Sequence, residues 1–286
     1  MTRSCRPMKP CRQRSAFTLV ELLVVLAIVG ILASLLLPAL AKAKSRGEGM
    51  KCLSHMRQWG FALSVYSGDN DDRLPRDGTD DAGAYAVDTQ ATVGPGSPND
   101  PYAWFNVLPP NAGENPLSNY WAGATRPREQ LPFPGGVGAL WHCPAARATR
   151  NERFLADGVF GFFSIVMNAD LKLLRSLRND AGGISLAYPE MPRLGGIAQP
   201  AATVLLTDVA FSPTLEPYSA RSDRNGVEPA GYSRNFAQRH SNRGGNLVFV
   251  DGHAAFFPRR YITNGAAARE EKFNHDVVWN PNREKF

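Results

Sequence analysis

No acidic residue occurs among the first 16 positions, and no charge of either sign between Leu22 and Leu37. The first absence leaves Arg3, Arg6, Lys9, Arg12 and Arg14 unbalanced, so most of the formal net charge of +6 sits in a short leader. The remainder is close to neutral, which argues against nucleic-acid binding, because counterion release needs Lys and Arg clustered on the folded part. Cysteine is scarce too: Cys5 and Cys11 lie in the leader, and only Cys52 and Cys143 lie beyond the apolar run. That count is too low for a disulfide framework. Once the leader is removed a single pair remains. In an oxidising compartment Cys52 and Cys143 are a candidate disulfide closing a loop of roughly 90 residues and contributing about 2–4 kcal/mol. Two buried free thiols are the alternative. Charged residues make up only 20% of the chain, whereas 26 Gly and 22 Pro are many. This composition favours short strands and loops over a helical bundle, and the length suits one sizeable core.

What is present is equally uneven. Residues 17–41 read FTLVELLVVLAIVGILASLLLPALA. At about 1.5 Å per residue some 20 residues cross a hydrocarbon layer of roughly 30 Å, so this run is long enough to span. It exceeds the apolar core of about 7–15 residues expected of a signal peptide. The basic leader favours a cytoplasmic N-terminus, against a weaker opposing bias from Lys42, Lys44, Arg46 and Lys51. Glu21 is the anomaly. A carboxylate in an apolar helix costs on the order of 2–3 kcal/mol at mid-membrane depth, less near the interface, so it calls for a specific use.

The residues Ala16-Phe17-Thr18-Leu19-Val20-Glu21-Leu22 resemble the processing site of type IV prepilins and type II secretion pseudopilins. The resemblance implies cleavage between Ala16 and Phe17 by a prepilin peptidase, and N-methylation of Phe17. It also implies pairing of Glu21 with the α-amino group of a neighbouring subunit inside a filament. The family usually has Gly where this chain has Ala16. Pro38 falls where these helices commonly carry proline, and its missing N–H is expected to kink or loosen the helix. Two plainer readings compete: an ordinary transmembrane anchor, or a signal peptide cleaved after Ala39-Leu40-Ala41.

Beyond the span, Leu53, Met56, Trp59 or Gly60, Leu63 and Tyr66 recur at helical spacing, predicting an amphipathic continuation over 42–66 that packs on a sheet. Ser67-Gly68-Asp69-Asn70 should end it. Strands are predicted at Ala139–Cys143, Val159–Met167, Ala202–Thr207, Asn246–Val250 and His253–Phe257, the last two joined by Asp251-Gly252 in a two-residue hairpin. A short helical patch is expected at Leu171–Leu177. The organisation is thus a leader (1–16), an assembly helix (17–41), its amphipathic continuation (42–66), an α+β head (67–263) and an exposed polar tail (264–286). The fold class is α+β, a long N-terminal helix packed on an antiparallel β-sheet head, as in pilins.

His240, Asp251 and His253 tempt a catalytic or metal reading across the hairpin. Turn geometry is the simpler role for Asp251 and Gly252. This segment resembles the C-terminal H-x9-DG signature of a pseudopilin-like family abundant in planctomycete- and verrucomicrobia-type bacteria, although ten residues separate His240 from Asp251 here. The resemblance extends to Lys51-Cys52-Leu53, His142-Cys143-Pro144, Met167-Asn168 and Leu206-Thr207-Asp208, and it supports pairing of Cys52 with Cys143. The acidic run from Ser67 to Asp81 fails EF-hand spacing at Arg73, so calcium is not expected. Neither a catalytic residue, nor a metal ligand set, nor a cofactor is assigned. The expected role is structural, with prepilin peptidase, other pilin or pseudopilin subunits and an inner-membrane assembly platform as partners, and the head in the periplasm. The competing role is a membrane-anchored binding module whose loops Tyr102-Ala103-Trp104-Phe105 and Tyr120-Trp121 contact a ligand.

Overall fold

The computed structural model describes residues 19–121, 130–148, 158–173, 187–212, 215–216, 226–240, 244–262 and 277–281. Helix α1, Leu19–Asp69, ends within the predicted Ser67-to-Asn70 stop. The chain divides into two units, residues 1–44 and 45–286, with α1 contributing to both. In the first unit the apolar side chains of α1 are left open, Leu19 at 78% and Leu35 at 70% exposure. Pro38 lies inside the helix, which runs on from Leu19 to Asp69 without a break.

In the second unit the character of α1 changes. Cys52, His55, Met56, Trp59, Gly60, Ala62 and Leu63 are buried, on the stripe that three- and four-residue spacing produces. Trp59 anchors it: its ring meets Trp104 edge-on at 5.6 Å and Trp141 at 5.8 Å, and its indole N–H donates to the Leu140 carbonyl at 3.2 Å. A side chain of this size, removed from water, contributes about 4–6 kcal/mol by area. Trp104, Phe105 and Trp121 are buried as well, so most of the aromatic loops read as ligand-contact candidates belong to the core.

Five strands form the sheet: β1 (Ile165–Asn168), β2 (Val204–Asp208), β3 (Ala230–Gly231), β4 (Gly244–Phe249) and β5 (Ala254–Pro258), in the order β3-β1-β2-β4-β5. Pairings β1–β2, β2–β4 and β4–β5 are antiparallel, while β3 joins β1 in parallel. The sheet is therefore mixed rather than purely antiparallel. Central β2 is buried along its whole length because both faces are covered. On β4, Val248 joins the large core while Leu247 and Phe249 join a second cluster with Phe236, Val277 and Trp279, as the two-residue period of a strand requires.

Several local expectations change in the structure. Ala139–Trp141 is a 3-10 turn, and so is Gly158–Phe160; only the end of the second predicted strand pairs as β1. Apolar runs of this length do not distinguish a strand from a buried turn. Of the helical patch at Leu171–Leu177, the described part begins with a 3-10 turn over Ala169–Leu171, and residues beyond 173 lie outside the described segments. The tail is not uniformly exposed. Val277 and Trp279 are buried, Val204 N–H donates to the Val278 carbonyl at 2.9 Å, and Asn168 Nδ2 donates to the Trp279 carbonyl at 2.7 Å. The hairpin turn holds three residues, not two. Phe249 N–H donates to the His253 carbonyl at 2.9 Å around Val250, Asp251 and Gly252, the last at φ +90°.

Candidate functional site

The processing residues Ala16 and Phe17 lie outside the described residues. Glu21 is placed in the first turn of α1, where a carboxylate complements the helix dipole, and it is exposed. The apolar residues following it make α1 the one helix among the described residues with the length and composition to cross a membrane.

Where α1 meets the head, two glycines touch. A Cβ on Gly60 would lie 2.0 Å from the Gly252 carbonyl oxygen, and one on Gly252 would lie 3.1 Å from the Gly60 oxygen. The Asp-Gly turn is thus a backbone-on-backbone contact with the helix. Asp251 Oδ1 accepts from His253 N at 3.1 Å and sits 2.6 Å from His253 Nδ1, at the surface. His240 has different partners, so the convergence of His240, Asp251 and His253 considered from sequence does not form.

His240 instead belongs to a buried cluster assembled from four remote segments. Cys52 comes from the buried stripe of α1, Cys143 follows the turn at Ala139–Trp141, Asp208 ends β2, and His240 stands just before β4, its N–H bonded to the Gly244 carbonyl at 3.2 Å. Asp208 shares a face of β2 with Leu206, the side that packs into the helix-bearing core. One ligand atom from each of the four lies within 4.8 Å of all the others. Cys52 Sγ donates to Asp208 at 3.3 Å, His240 Nε2 lies 3.2 Å from Asp208 Oδ2, and Cys143 Sγ lies 3.4 Å from His240 Nε2. Both cysteines are free thiols in this structure, not a bridge.

The surroundings hold Asp208 rigidly. Asn246 donates to Oδ2 from its backbone N at 2.9 Å and from Nδ2 at 3.2 Å, and Arg239 Nη1 stands 3.6 Å from Oδ1. Arg239 is itself buried, forked onto Glu216 and bonded to the Val209 carbonyl. Burial alone would raise the Asp208 carboxyl, but His240 and Arg239 outweigh it and hold the group below its usual range. For His240, burial opposes charging, while Asp208 and Cys143 raise it to about 10. Burial pushes the Cys52 thiol well above its ordinary value. His240 Nδ1 is buried with no hydrogen-bond partner among the described residues.

A second polar site lies in the acidic loop. Asp77, Thr79 and Asp80 are buried around the ammonium of Lys172, which lies 3.0 Å from Asp77 Oδ2 and donates to the Asp80 carbonyl at 2.9 Å and to Thr79 Oγ1. An internal Lys thus supplies the positive charge that the carboxylates need. Nothing in the local sequence pointed to it, since Lys172 lies more than 90 positions downstream.

Residues 11–37 match the prokaryotic N-terminal methylation motif. Among characterised proteins the chain is similar to type II secretion system core protein G. It is 38% identical over 84 residues to that of Aeromonas hydrophila, covering 29% of this chain and 56% of the relative. It is 39% identical over 90 residues to that of Pectobacterium carotovorum subsp. carotovorum, covering 32% and 54%. The chain spans about half the length of the curated relatives it matches. No solved structure matches it significantly. A methylation motif at the N-terminus, an apolar helix following it and an α+β head together give the chain a pilin-like architecture.

Proposed function

We propose that this chain is a structural, pseudopilin-like subunit of a type II secretion or type IV pilus-type filament. The observation that carries the reading is the open apolar surface of α1, which begins at the methylation motif with Glu21 in its first turn. Such a surface is costly in water. It is satisfied first by the bilayer and then by the helices of neighbouring subunits, where packing rather than water exclusion drives association. A prepilin peptidase cuts between Ala16 and Phe17 and methylates Phe17. Glu21 then pairs with the Phe17 amine of the next subunit, removing two charges from an apolar interior and setting register. Before assembly the precursor is a single-pass inner-membrane protein with a cytoplasmic N-terminus and a periplasmic head, delivered to the assembly platform. Trp104, Phe105 and Trp121 are buried, so of these aromatic loops the binding-module reading keeps only the exposed Tyr102 and the half-buried Tyr120.

The test is the intact mass and N-terminal peptide of protein extracted from membranes, expressed with and without a prepilin peptidase. A peptidase-dependent start at methylated Phe17 is expected; a start at Lys42 would overturn the reading. Glu21→Ala should leave the head folded, as followed by tryptophan fluorescence, yet abolish filament assembly. Normal filaments from that variant would remove the pairing role of Glu21.

A further inference from the structure

We propose that Cys52, Cys143, Asp208 and His240 form a closed, four-ligand metal site that takes zinc and ties α1 to the centre of the sheet. The donor set is the first argument. Two thiols, an imidazole and a carboxylate are the ligand types of tetrahedral zinc, and thiolates select against magnesium and calcium. Spacing is the second. Zinc bonds of about 2.3 Å to sulfur and about 2.0–2.2 Å to nitrogen and oxygen place the corners of the tetrahedron roughly 3.3–3.8 Å apart. The contacts of 3.3 Å for Cys52 with Asp208, 3.2 Å for His240 with Asp208 and 3.4 Å for Cys143 with His240 are close to those edges. Four side chains from residues 52, 143, 208 and 240 converge without local sequence constraint, so the fold itself preorganises the corners.

Charge and support follow the same logic. Two thiolates and a carboxylate exceed the charge of zinc by one, and the Arg239 guanidinium, 3.6 Å from Asp208 and shared with Glu216, offsets part of that excess. Asn246 fixes the carboxylate, and Ser164 Oγ accepts the N–H of Cys143 at 2.8 Å, fixing the loop that carries this thiol. All four ligands are buried, with no position open to solvent, which makes the site structural rather than catalytic. Metal binding requires both sulfurs as thiolates and removes the proton from Nε2 of His240, which coordinates through that nitrogen and keeps its remaining proton on Nδ1. A Cys52–Cys143 disulfide is the competing state, because it consumes both sulfurs and cannot coexist with the ion.

The test uses the full chain in detergent, in a Cys5→Ser, Cys11→Ser background so that no leader thiol contributes. Purified without chelator, it should carry about one zinc per chain by mass-spectrometric metal analysis. Both remaining thiols should resist alkylation until the metal is stripped. Replacement by cobalt(II) should produce thiolate-to-metal charge transfer and the intense visible bands of a tetrahedral ion, a readout that needs no ligand substitution and survives poor folding of the variants. His240→Gln should reduce zinc content at least tenfold and alter the cobalt spectrum. Either of two results overturns the proposal: a Cys52–Cys143 bridged peptide recovered quantitatively from unreduced protein, or a folded, reduced chain that gives neither zinc retention nor a tetrahedral cobalt spectrum.

Discussion

Replacing Gly60 with alanine is the sharpest perturbation of the contact between α1 and the hairpin turn. In an exposed helix interior Gly→Ala stabilises by about 1 kcal/mol, because alanine has less backbone entropy to lose. At Gly60 the added methyl would stand 2.0 Å from the Gly252 oxygen and 2.8 Å from its carbonyl carbon. Ordinary contact is about 3.5 Å, so the shortfall is roughly 1.5 Å. Both partners are backbone, and no side chain can rotate away. Relief requires α1 to lift from the turn, which loosens Met56, Trp59 and Leu63 on the same stripe. Overpacking of this kind costs about 1–3 kcal/mol or more, leaving a net loss near 2 kcal/mol after the helix gain. For a domain of this size that lowers Tm by about 4–8 °C. Intrinsic tryptophan fluorescence follows it directly, since Trp59 packs on Trp104 and Trp141. Gly47, in the same helix with nothing within 4 Å of its added Cβ, is the internal control: Gly47→Ala should be neutral or stabilising. A Gly60→Ala protein as stable as its parent, or one that shifts as Gly47→Ala does, would refute the close-approach argument.

Asp100 offers a test by pH. Its carboxyl is fully buried, and burial raises it from an ordinary value near 3.8 to about 6, against the pull of the Tyr102 N–H and Arg76. The folded chain therefore binds the proton more tightly than the unfolded one. Its stabilising contribution is complete below pH ~4 and is lost as pH rises through about 6, at about 1.4 kcal/mol per pH unit and roughly 3 kcal/mol in all. Urea unfolding of the parent and of Asp100→Asn at pH 4.5 and 7.5 should show a pH-dependent loss in the parent that the variant lacks; equal slopes would contradict it. Lys172→Met should destabilise by about 3–5 kcal/mol, because it strands Asp77 in the interior without its ammonium. Adding Asp77→Asn should recover part of that loss, and strict additivity in the double-mutant cycle would show that the pair is not coupled.

How far local sequence reaches depends on the range of the forces involved. The apolar run after Phe17, the oddity of Glu21 and the stripe through Met56, Trp59 and Leu63 are matters of composition and period, readable one segment at a time. Strand β2 and the β4–β5 hairpin were legible for the same reason, since side-chain alternation and Asp-Gly turn chemistry act within a few residues. The run at Ala139–Cys143 misled because apolar content marks burial and not backbone conformation. Its burial is real, but it serves a 3-10 turn that delivers Cys143.

Sequence alone therefore determined the long apolar helix, its buried stripe and the hairpin. Tertiary structure decided the parallel pairing of β3, the return of Trp279 to the sheet, the need for glycine at both Gly60 and Gly252, and the internal charge supplied by Lys172. Above all it decided that the pair Cys52 and Cys143 does not stand by itself. Residues separated by up to 188 positions, Cys52 and His240, come together with Asp208 because the buried stripe of α1 brings the Cys52 thiol to the end of β2. Such a meeting is fixed by the packing of whole elements against one another, a long-range property for which no local pattern of residues carries a signal.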